Sequence, residues 1–538
     1  MPHINRLHKN DLAQILYMAA ATPAKNLSKW KAKLPLLAVC RTWTELALSF
    51  VFYQVFVELP ELPDSTSSAH FLWTSNAELF ISRGCVLKAQ RLTVELSYHV
   101  NPDQLRFIAL DVLKLDRVDW QKINSLTFTL VMSTFYITVE PVSQDDWAAT
   151  DVARTVQYFK QNLRNIVGLG LCSLASESAR ECLYSNLAMF YGGRLKVLRA
   201  EGSILLPFYC IPRNIEVLEL TLDSSAVRVL PDICGETLKV LKLYNVPHNF
   251  AWHHFRYDMF DYPIVFRQLT VLHLTFEYKD IDLTEVEIQD KVASGALNCD
   301  QLCFPALREL VIDSCTPDCD ILYANLPLPE LKKVDLLGFI NSIRHCSRLK
   351  LTWVRDLSVV IFSNDSDDTA EIYRLANHFF TNIRIGRTAS LSIGGDWFVL
   401  DPDVMRWANL TKLEINKADY DIVCKAIGRL PNLCELTIHS LATSISIEAS
   451  SLFISADPML AWGEKLATMI ICDFDKDCSL TALISGIRAL IQHAGALEKL
   501  EVPYSAIQDV TTLIDMYKDR HPHLTNIQLL NDADFFFE

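Results

Sequence analysis

Apolar residues recur along this chain in a six-residue frame, apolar-x-x-apolar-x-apolar. The frame is clear from Ile215, Leu238, Leu269, Leu307, Leu331, Leu410, Leu433, Leu497 and Leu524, as in Leu238-Lys-Val-Leu241-Lys-Leu243. Weaker copies lie at Ile123–Phe128, Leu163–Leu169, Leu195–Ala200, Thr388–Ile393 and Leu466–Ile471. This alternation predicts short strands whose apolar side chains point beneath a parallel sheet while the residues between them face solvent. The residues between are Lys, Glu, Arg, Thr, His and Gln. Lys239, Lys242, His273, Glu414, Thr437 and Glu501 are therefore expected on an exposed face that selects a protein.

Frame starts step by 20 residues from Leu195 to Ile215, by 23 to Leu238, by 24 from Leu307 to Leu331 and by 23 from Leu410 to Leu433. That is the interval of a leucine-rich repeat. Proline stands two residues ahead of the frame in Pro305-Ala-Leu307, Pro329-Glu-Leu331, Pro431-Asn-Leu433 and Pro522-His-Leu524. There it is expected to end a preceding helix and launch the strand. Helical patterns fall between frames: Asn101-Pro102 reads as an N-cap with a first-turn proline, and 146–163 and 367–380 carry helical apolar spacing. Where the interval lengthens, 247–263 and 284–300 are expected to protrude as recognition loops. The ninth repeat position holds Cys only at Cys315 and Asn in none of the clear copies, so an irregular ladder is expected.

Residues 4–47 follow another rule. Leu7, Leu12, Ile15 and Leu16 make one helical stripe; beyond a basic connector, Leu34, Leu36, Leu37, Val39, Cys40, Trp43 and Leu46 make another. Two or three short helices cannot bury that much apolar surface alone, so part of it must dock elsewhere. The run Leu7-His-Lys-Asn-Asp-Leu12-Ala-Gln-Ile15-Leu16, then Leu36-Leu37-Ala-Val39-Cys40-Arg41-Thr-Trp43-Thr-Glu-Leu46-Ala47, resembles an F-box. With the repeats behind it, the chain resembles F-box/leucine-rich-repeat proteins, especially the divergent fungal type. The Leu-Pro opening usual in that family is Leu7-His8 here, and the 17–33 connector is longer than typical.

The resemblance implies an α/β architecture: a short helical module over 1–50, a junction with a first capping strand or helix over 51–90, and a curved leucine-rich-repeat solenoid over 91–538, strands inside and helices outside. It also implies that Leu7, Leu12, Ile15, Leu16, Leu36, Val39, Cys40 and Trp43 grip the Skp-type adaptor of a cullin–RING ubiquitin ligase while the repeats hold a protein substrate.

Composition narrows the classes. A chain of 538 residues, 50% hydrophobic and 21% charged, is neither disordered nor collagen-like. Its longest uncharged stretch, Ile123–Val139, falls short of the roughly 18 apolar residues a spanning helix needs. MPHINRLHKNDL has no apolar h-region, so a cytosolic or nuclear protein is expected. Residues 1–60 carry seven Lys and Arg against three Asp and Glu, a net of +4, and the rest carry 43 against 61, a net of −18. An acidic body argues against nucleic acid as a partner, and the basic module suits an acidic protein. Its Lys25, Lys29, Lys31 and Lys33 are read as a solvated face or an adaptor contact.

Signatures of catalytic chemistry are sparse along the chain. There is no GK[ST] phosphate loop, no GxSxG and no HExxH, and Gly168-Leu-Gly170 lacks the third glycine of a dinucleotide fingerprint. The fifteen cysteines are odd in number, scattered, and include no CxxC. Cys299, Cys303, Cys315 and Cys319 have spacing that a tetrahedral zinc tolerates, but Cys315 occupies the position where such a repeat buries a cysteine. His253-His254 with Asp258 and Asp261 keeps aromatic company better suited to a packing or binding loop, and the acidic 364–369 run reads as a helix N-cap cluster. The 531–538 tail reads as a cover for the last repeat or a docking peptide. No cofactor, metal or catalytic residue is assigned. The expectation is a non-enzymatic substrate receptor, with a ligase-independent repeat scaffold as the alternative.

Overall fold

The computed structural model describes 53–58, 74–76, 89–98, 120–132, 161–173, 178–205, 211–221, 235–246, 265–276, 304–314, 331–339, 354–362, 387–395, 407–419, 430–442, 465–474, 496–503 and 526–530, with isolated residues such as Lys31, Ala47, Val51, Leu351, Phe379 and Phe380. The chain divides into two compact units, Met1–Asn245 with His254–Ile264, and Val246–His253 with Val265–Glu538.

The first unit carries β1 (Gln54–Glu58), β2 (Thr74–Ser75), β3 (Arg91–Tyr98), β4 (Ser125–Met132), β5 (Gly168–Ser173), β6 (Val197–Leu205), β7 (Val217–Thr221) and, but for its last residue, β8 (Val240–Val246). β1 pairs in parallel with β3, and β3 to β8 then pair in chain order, all parallel. Between β5 and β6 runs helix α1 (Ser178–Tyr191), the crossover that parallel neighbours require. Its last turns bury Leu187, Ala188 and Tyr191 and leave Met189 exposed.

The second unit carries β9 (Val271–Phe276), β10 (Glu309–Asp313), β11 (Lys333–Phe339), β12 (Asp356–Phe362), β13 (Ser390–Gly395), β14 (Lys412–Asp419), β15 (Glu435–Ala442), β16 (Thr468–Phe474), β17 (Lys499–Pro503) and β18 (Asn526–Leu530). Each pairs in parallel with the next.

The frame explains both ladders. In register, its fourth position runs Leu169–Leu198–Leu218–Leu241 in the first unit and Leu272–Leu310–Val334–Leu357–Leu391–Leu413 in the second. None of these side chains is more than 2% exposed. Strand entries are tied by one repeated device: the carbonyl at frame position two accepts from the second and third residues of the next frame. Glu216 and Val217 N–H donate to the Lys196 carbonyl at 2.8 and 3.0 Å, and Lys332 and Lys333 N–H donate to that of Arg308 at 2.8 and 3.0 Å.

Ahead of several strands lies a tight turn that the frame does not reveal. Leu307 N–H donates to the Phe304 carbonyl, and Leu269, Val354, Leu410 and Leu433 do the same to Phe266, Leu351, Trp407 and Leu430. The residue three before the frame is therefore apolar and buried, and Phe266 stacks on Phe304 with ring centroids 5.5 Å apart. Pro305 and Pro431 occupy the second position of this turn, where a fixed φ helps and the missing N–H costs nothing. Pro329 and Pro522 lie outside the described residues.

Three frames differ from expectation. The copy placed at Leu163 starts at Ile166, with Leu169 and Leu171 beneath the sheet; Leu163 is the buried turn residue three positions earlier. Ala89-x-x-Leu92-x-Val94 and Val354-x-x-Leu357-x-Val359 are frames opened by Ala and Val, and all three apolar positions of each are buried. Thr388 fills an apolar position because its hydroxyl donates to the Val354 carbonyl at 3.0 Å. The expected irregularity is confined to strand exits: the β6–β7 register shifts between Ala200 and Leu205, while the entry rungs run unbroken within each unit.

The segment read as a junction supplies β1, and its outer edge is covered. β2 pairs antiparallel with Val57 and Glu58. Beside it, the Asn76 carboxamide, 3% exposed, accepts from Phe56 N–H at 2.8 Å and donates to the Gln54 carbonyl at 2.9 Å. One side chain thus mimics a strand's donor and acceptor, which is how an edge is kept from pairing elsewhere. The helical module over 1–50, with Leu7, Leu12, Ile15, Leu16, Leu36, Val39, Cys40 and Trp43, lies outside the described residues apart from Lys31, Leu34, Pro35, Thr44, Ala47 and Leu48. Among the described residues no helix is long and apolar enough to cross a membrane.

Candidate interaction face

Strand alternation turns frame positions three, five and seven away from the apolar columns, and parallel register stacks like positions about 4.8 Å apart. Position two adds a row at the strand entries.

In the first unit these rows close on themselves. At position five, Glu219 accepts from Arg199 Nε at 3.1 Å and from Lys242 Nζ at 3.2 Å, one from each neighbouring strand. Glu219 is 4% exposed, so the two cations nearly cover it. At position two, Glu216 meets Lys196 at 3.2 Å and Lys239 at 2.7 Å. The Lys239 hydrogen bond, and then that of Lys196, hold the Glu216 carboxyl below its usual range.

Position three of the second unit behaves alike. Lys333 bridges Asp335 at 2.8 Å and Glu309 at 3.2 Å, which raises its ammonium, with Asp335 the larger cause. Lys412 pairs with Glu435 at 2.7 Å and is raised by it.

Position two of the second unit breaks the pattern. Arg308, Lys332 and Arg355 stand on three successive strand entries, linked by their own backbone rungs, and all three are exposed. None has an ion-pair partner among the described residues. Like charges at neighbouring positions of a sheet repel, so among the described residues this row carries like charge that no ion pair offsets. Whole-array charge counting hid it beneath the −18 total; aligning the frames and reading down position two reveals it.

The six residues expected to contact a partner are less available than the pattern suggested. Lys239 and Lys242 are engaged by Glu216 and Glu219, Glu414 by His439 at 2.8 Å, and Glu501 by Lys499. His273 lies 3.4 Å from the Thr275 hydroxyl. Thr437 and Glu501 are buried, each 8% exposed, which corrects the expectation that they face solvent. Thr437 is short and sits in register between Glu414 and Ile470; Glu501 lies between Ile470 and its own Lys499 contact.

A solved structure of an LRR protein from Leptospira interrogans matches 83% of this chain and 91% of its own length, at 11% identity and a TM-score of 0.29. No family model matches the chain, and no curated protein matches it. The ladders themselves, with their frame, parallel register and recurring entry turn, fit a leucine-rich-repeat solenoid.

Gly168 and Gly170 lie within β5, away from any strand-to-helix turn. A Cβ on Gly170 would stand 3.2 Å from the Thr127 hydroxyl, so the pair makes room for side chains of β4. Among the described residues no group of His, Cys, Asp and Glu is placed to hold a metal ion. Cys299, Cys303, Cys315, Cys319, His253, His254, Asp258 and Asp261 lie outside the described residues, as do 364–369 and 531–538.

Proposed function

We propose that the chain is a non-enzymatic receptor, the substrate-recognition subunit of a Skp–cullin–F-box type ubiquitin ligase in the cytosol or nucleus. Leu7, Leu12, Ile15, Leu16, Leu36, Val39, Cys40 and Trp43 would engage the adaptor. The observation that carries the interaction half is the exposed row Arg308–Lys332–Arg355, without an ion-pair partner among the described residues, whose spacing suits successive carboxylates on an acidic protein segment. The adaptor half is supported by the Val39-Cys40-Arg41-x-Trp43-x-x-Leu46-Ala47 run standing directly before a repeat ladder.

Purified full-length protein mixed with a Skp-type adaptor and run over a sizing column tests the ligase reading. Co-elution that is lost in Trp43→Ala and Val39→Asp supports it; no co-elution, or co-elution indifferent to both changes, overturns it. One observation favours the scaffold alternative. Ala47 and Val51, one helical turn apart, are 0% and 1% exposed, so the end of the module is buried within the chain. In that version the module caps the repeats, and the adaptor stays unbound while an acidic partner still binds.

A further inference from the structure

The second unit's face changes character along its strands. From entry to exit, the solvent-facing residues of β12 are Asp356, Ser358, Val360 and Phe362, the first three half-buried and Phe362 37% exposed. Those of β11 are Lys333, Asp335 and the half-buried Leu337. Leu337 stands in register with Val360, and Val360 with Gly394 on β13. A Cβ on Gly394 would lie 3.0 Å from Val360 Cγ2, so Val360 spreads over space that a side chain on β13 would take. Leu337, Val360 and Phe362 thus form an apolar patch at the strand exits. Val167, Met189 and Phe362 are the exposed large apolar side chains among the described residues, and of these Phe362 alone belongs to a strand.

The same two strands are entered through Lys332 and Arg355, which with Arg308 ahead of β10 make the exposed basic row. Five residues separate position two from position seven, a span of about 16 Å at roughly 3.3 Å per residue. Between these ends, Lys333 holds Asp335 at 2.8 Å and Glu309 at 3.2 Å, and Asp356 stands in register with Lys333. Beside the patch, Asp313 on β10 stands in register with Leu337 and accepts from the Ser314 hydroxyl at 3.2 Å. Cations therefore mark one end of β11 and β12, and apolar side chains with a flanking carboxylate mark the other.

From this polarity we infer that the face takes a two-part protein segment: carboxylates on Arg308, Lys332 and Arg355, and an apolar residue about five extended residues away on Leu337, Val360 and Phe362. This segment is the acidic partner of the reading proposed above, and the docking of its apolar residue rests on that reading. Charge sets its direction on the face. The basic row draws the carboxylates to the entry side, and Asp313 repels them from the exit. Once the acidic end is held, an apolar residue that reaches the patch removes both itself and the patch from water. A purely acidic segment leaves that gain unused.

Full-length protein is titrated into fluorescein-labelled peptides at low salt and binding is read by anisotropy. One peptide carries three glutamates alone, a second adds a Leu-Phe pair beyond a four-residue Gly-Ser linker, and a third joins the pair directly to the glutamates; the last two are made in both chain directions. The linked peptide is expected to bind about tenfold tighter than the glutamate peptide in one direction, the scale of burying one apolar side chain. The directly joined peptide should show no such gain. Phe362→Ser, at an exposed position, and the near-isosteric Val360→Thr should each reduce the gain and leave the glutamate peptide's affinity unchanged, whereas Lys332→Glu should weaken every peptide. If the glutamate peptide binds and the linked pair adds nothing, or adds as much without the linker, the two-part segment is overturned and the acidic reading stands. If no peptide binds, both fall. A gain unmoved by Phe362→Ser and Val360→Thr also overturns it, and so does a dimer of the free chain on a sizing column that Phe362→Ser dissolves, which would give the patch to a second copy.

Discussion

Position two of the repeat is built from the same backbone in both units and solved in opposite ways. In the first, Lys196, Glu216 and Lys239 alternate in sign and satisfy one another. In the second, Arg308, Lys332 and Arg355 share a sign and are left exposed. The entry rungs beneath them are equivalent, so backbone geometry does not force either choice. A self-neutral row contributes a little to folding and offers a partner little; a like-charged row costs the fold a little and is available to an anion. Identical scaffolding with divergent electrostatics separates what holds the sheet together from what it presents.

The comparison assumes that the scaffolds really are alike, and buried leucines test this most severely. Leu218→Ala in the first unit and Leu310→Ala in the second remove side chains from the same frame position, both fully buried. Each is expected to cost about 2–5 kcal/mol in denaturant unfolding. A large cost in one unit alone would mean the ladders are not equivalent. Next comes the self-neutral side. Glu219→Gln removes the anion between Arg199 and Lys242 and should destabilise the chain by about 1–3 kcal/mol, the range for hydrogen bonds to charged groups.

Exchanging the two solutions sharpens the contrast further. Lys332→Glu gives the second unit the alternating row of the first and should stabilise it by about 0.2–1 kcal/mol at low salt, an effect that fades as salt screens it. The same change should abolish binding of an acidic peptide, measured by fluorescence anisotropy. Glu216→Lys makes the reverse exchange and should destabilise at low salt.

The two units also separate in pH dependence. A His439 raised to about 10 from an unfolded value of 6.5 contributes stability that is complete below 6.5 and is lost as pH rises through 10. Glu414, lowered from 4.5, contributes above that pH and loses its contribution as pH falls below it. Thermal melts between pH 6.5 and 10 should therefore slope downward for the wild type and flatten in His439→Gln.

The apolar columns were legible in sequence because the fourth and sixth frame positions are filled mostly by Leu, Ile or Val. Frames opened by Ala89, Val354 and Thr388 read faintly or not at all, since the first position tolerates any residue that fills the space or, for Thr388, bonds a carbonyl. The entry turn was invisible because its buried member is sometimes Phe, sometimes Trp, sometimes Leu. Polar positions were harder still: alternation says which way a side chain leaves the strand, not what its neighbour one strand over will do to it. Thr437 and Glu501 point the expected way and are covered all the same. His439 and Glu414 lie 25 positions apart on neighbouring strands, so aligned frames would have brought them near each other, but no local motif does.

Asn76 also bears on how such a chain changes length over evolutionary time. A repeat duplicated at this end must slot its new strand in behind β1, because the flank of β1 is already sealed by a carboxamide and by β2. Copies spliced in behind β1 inherit ready-made rungs on both sides; a copy placed ahead of it would first have to evict Asn76. Genetic lengthening at this end of the array is thereby directed inward.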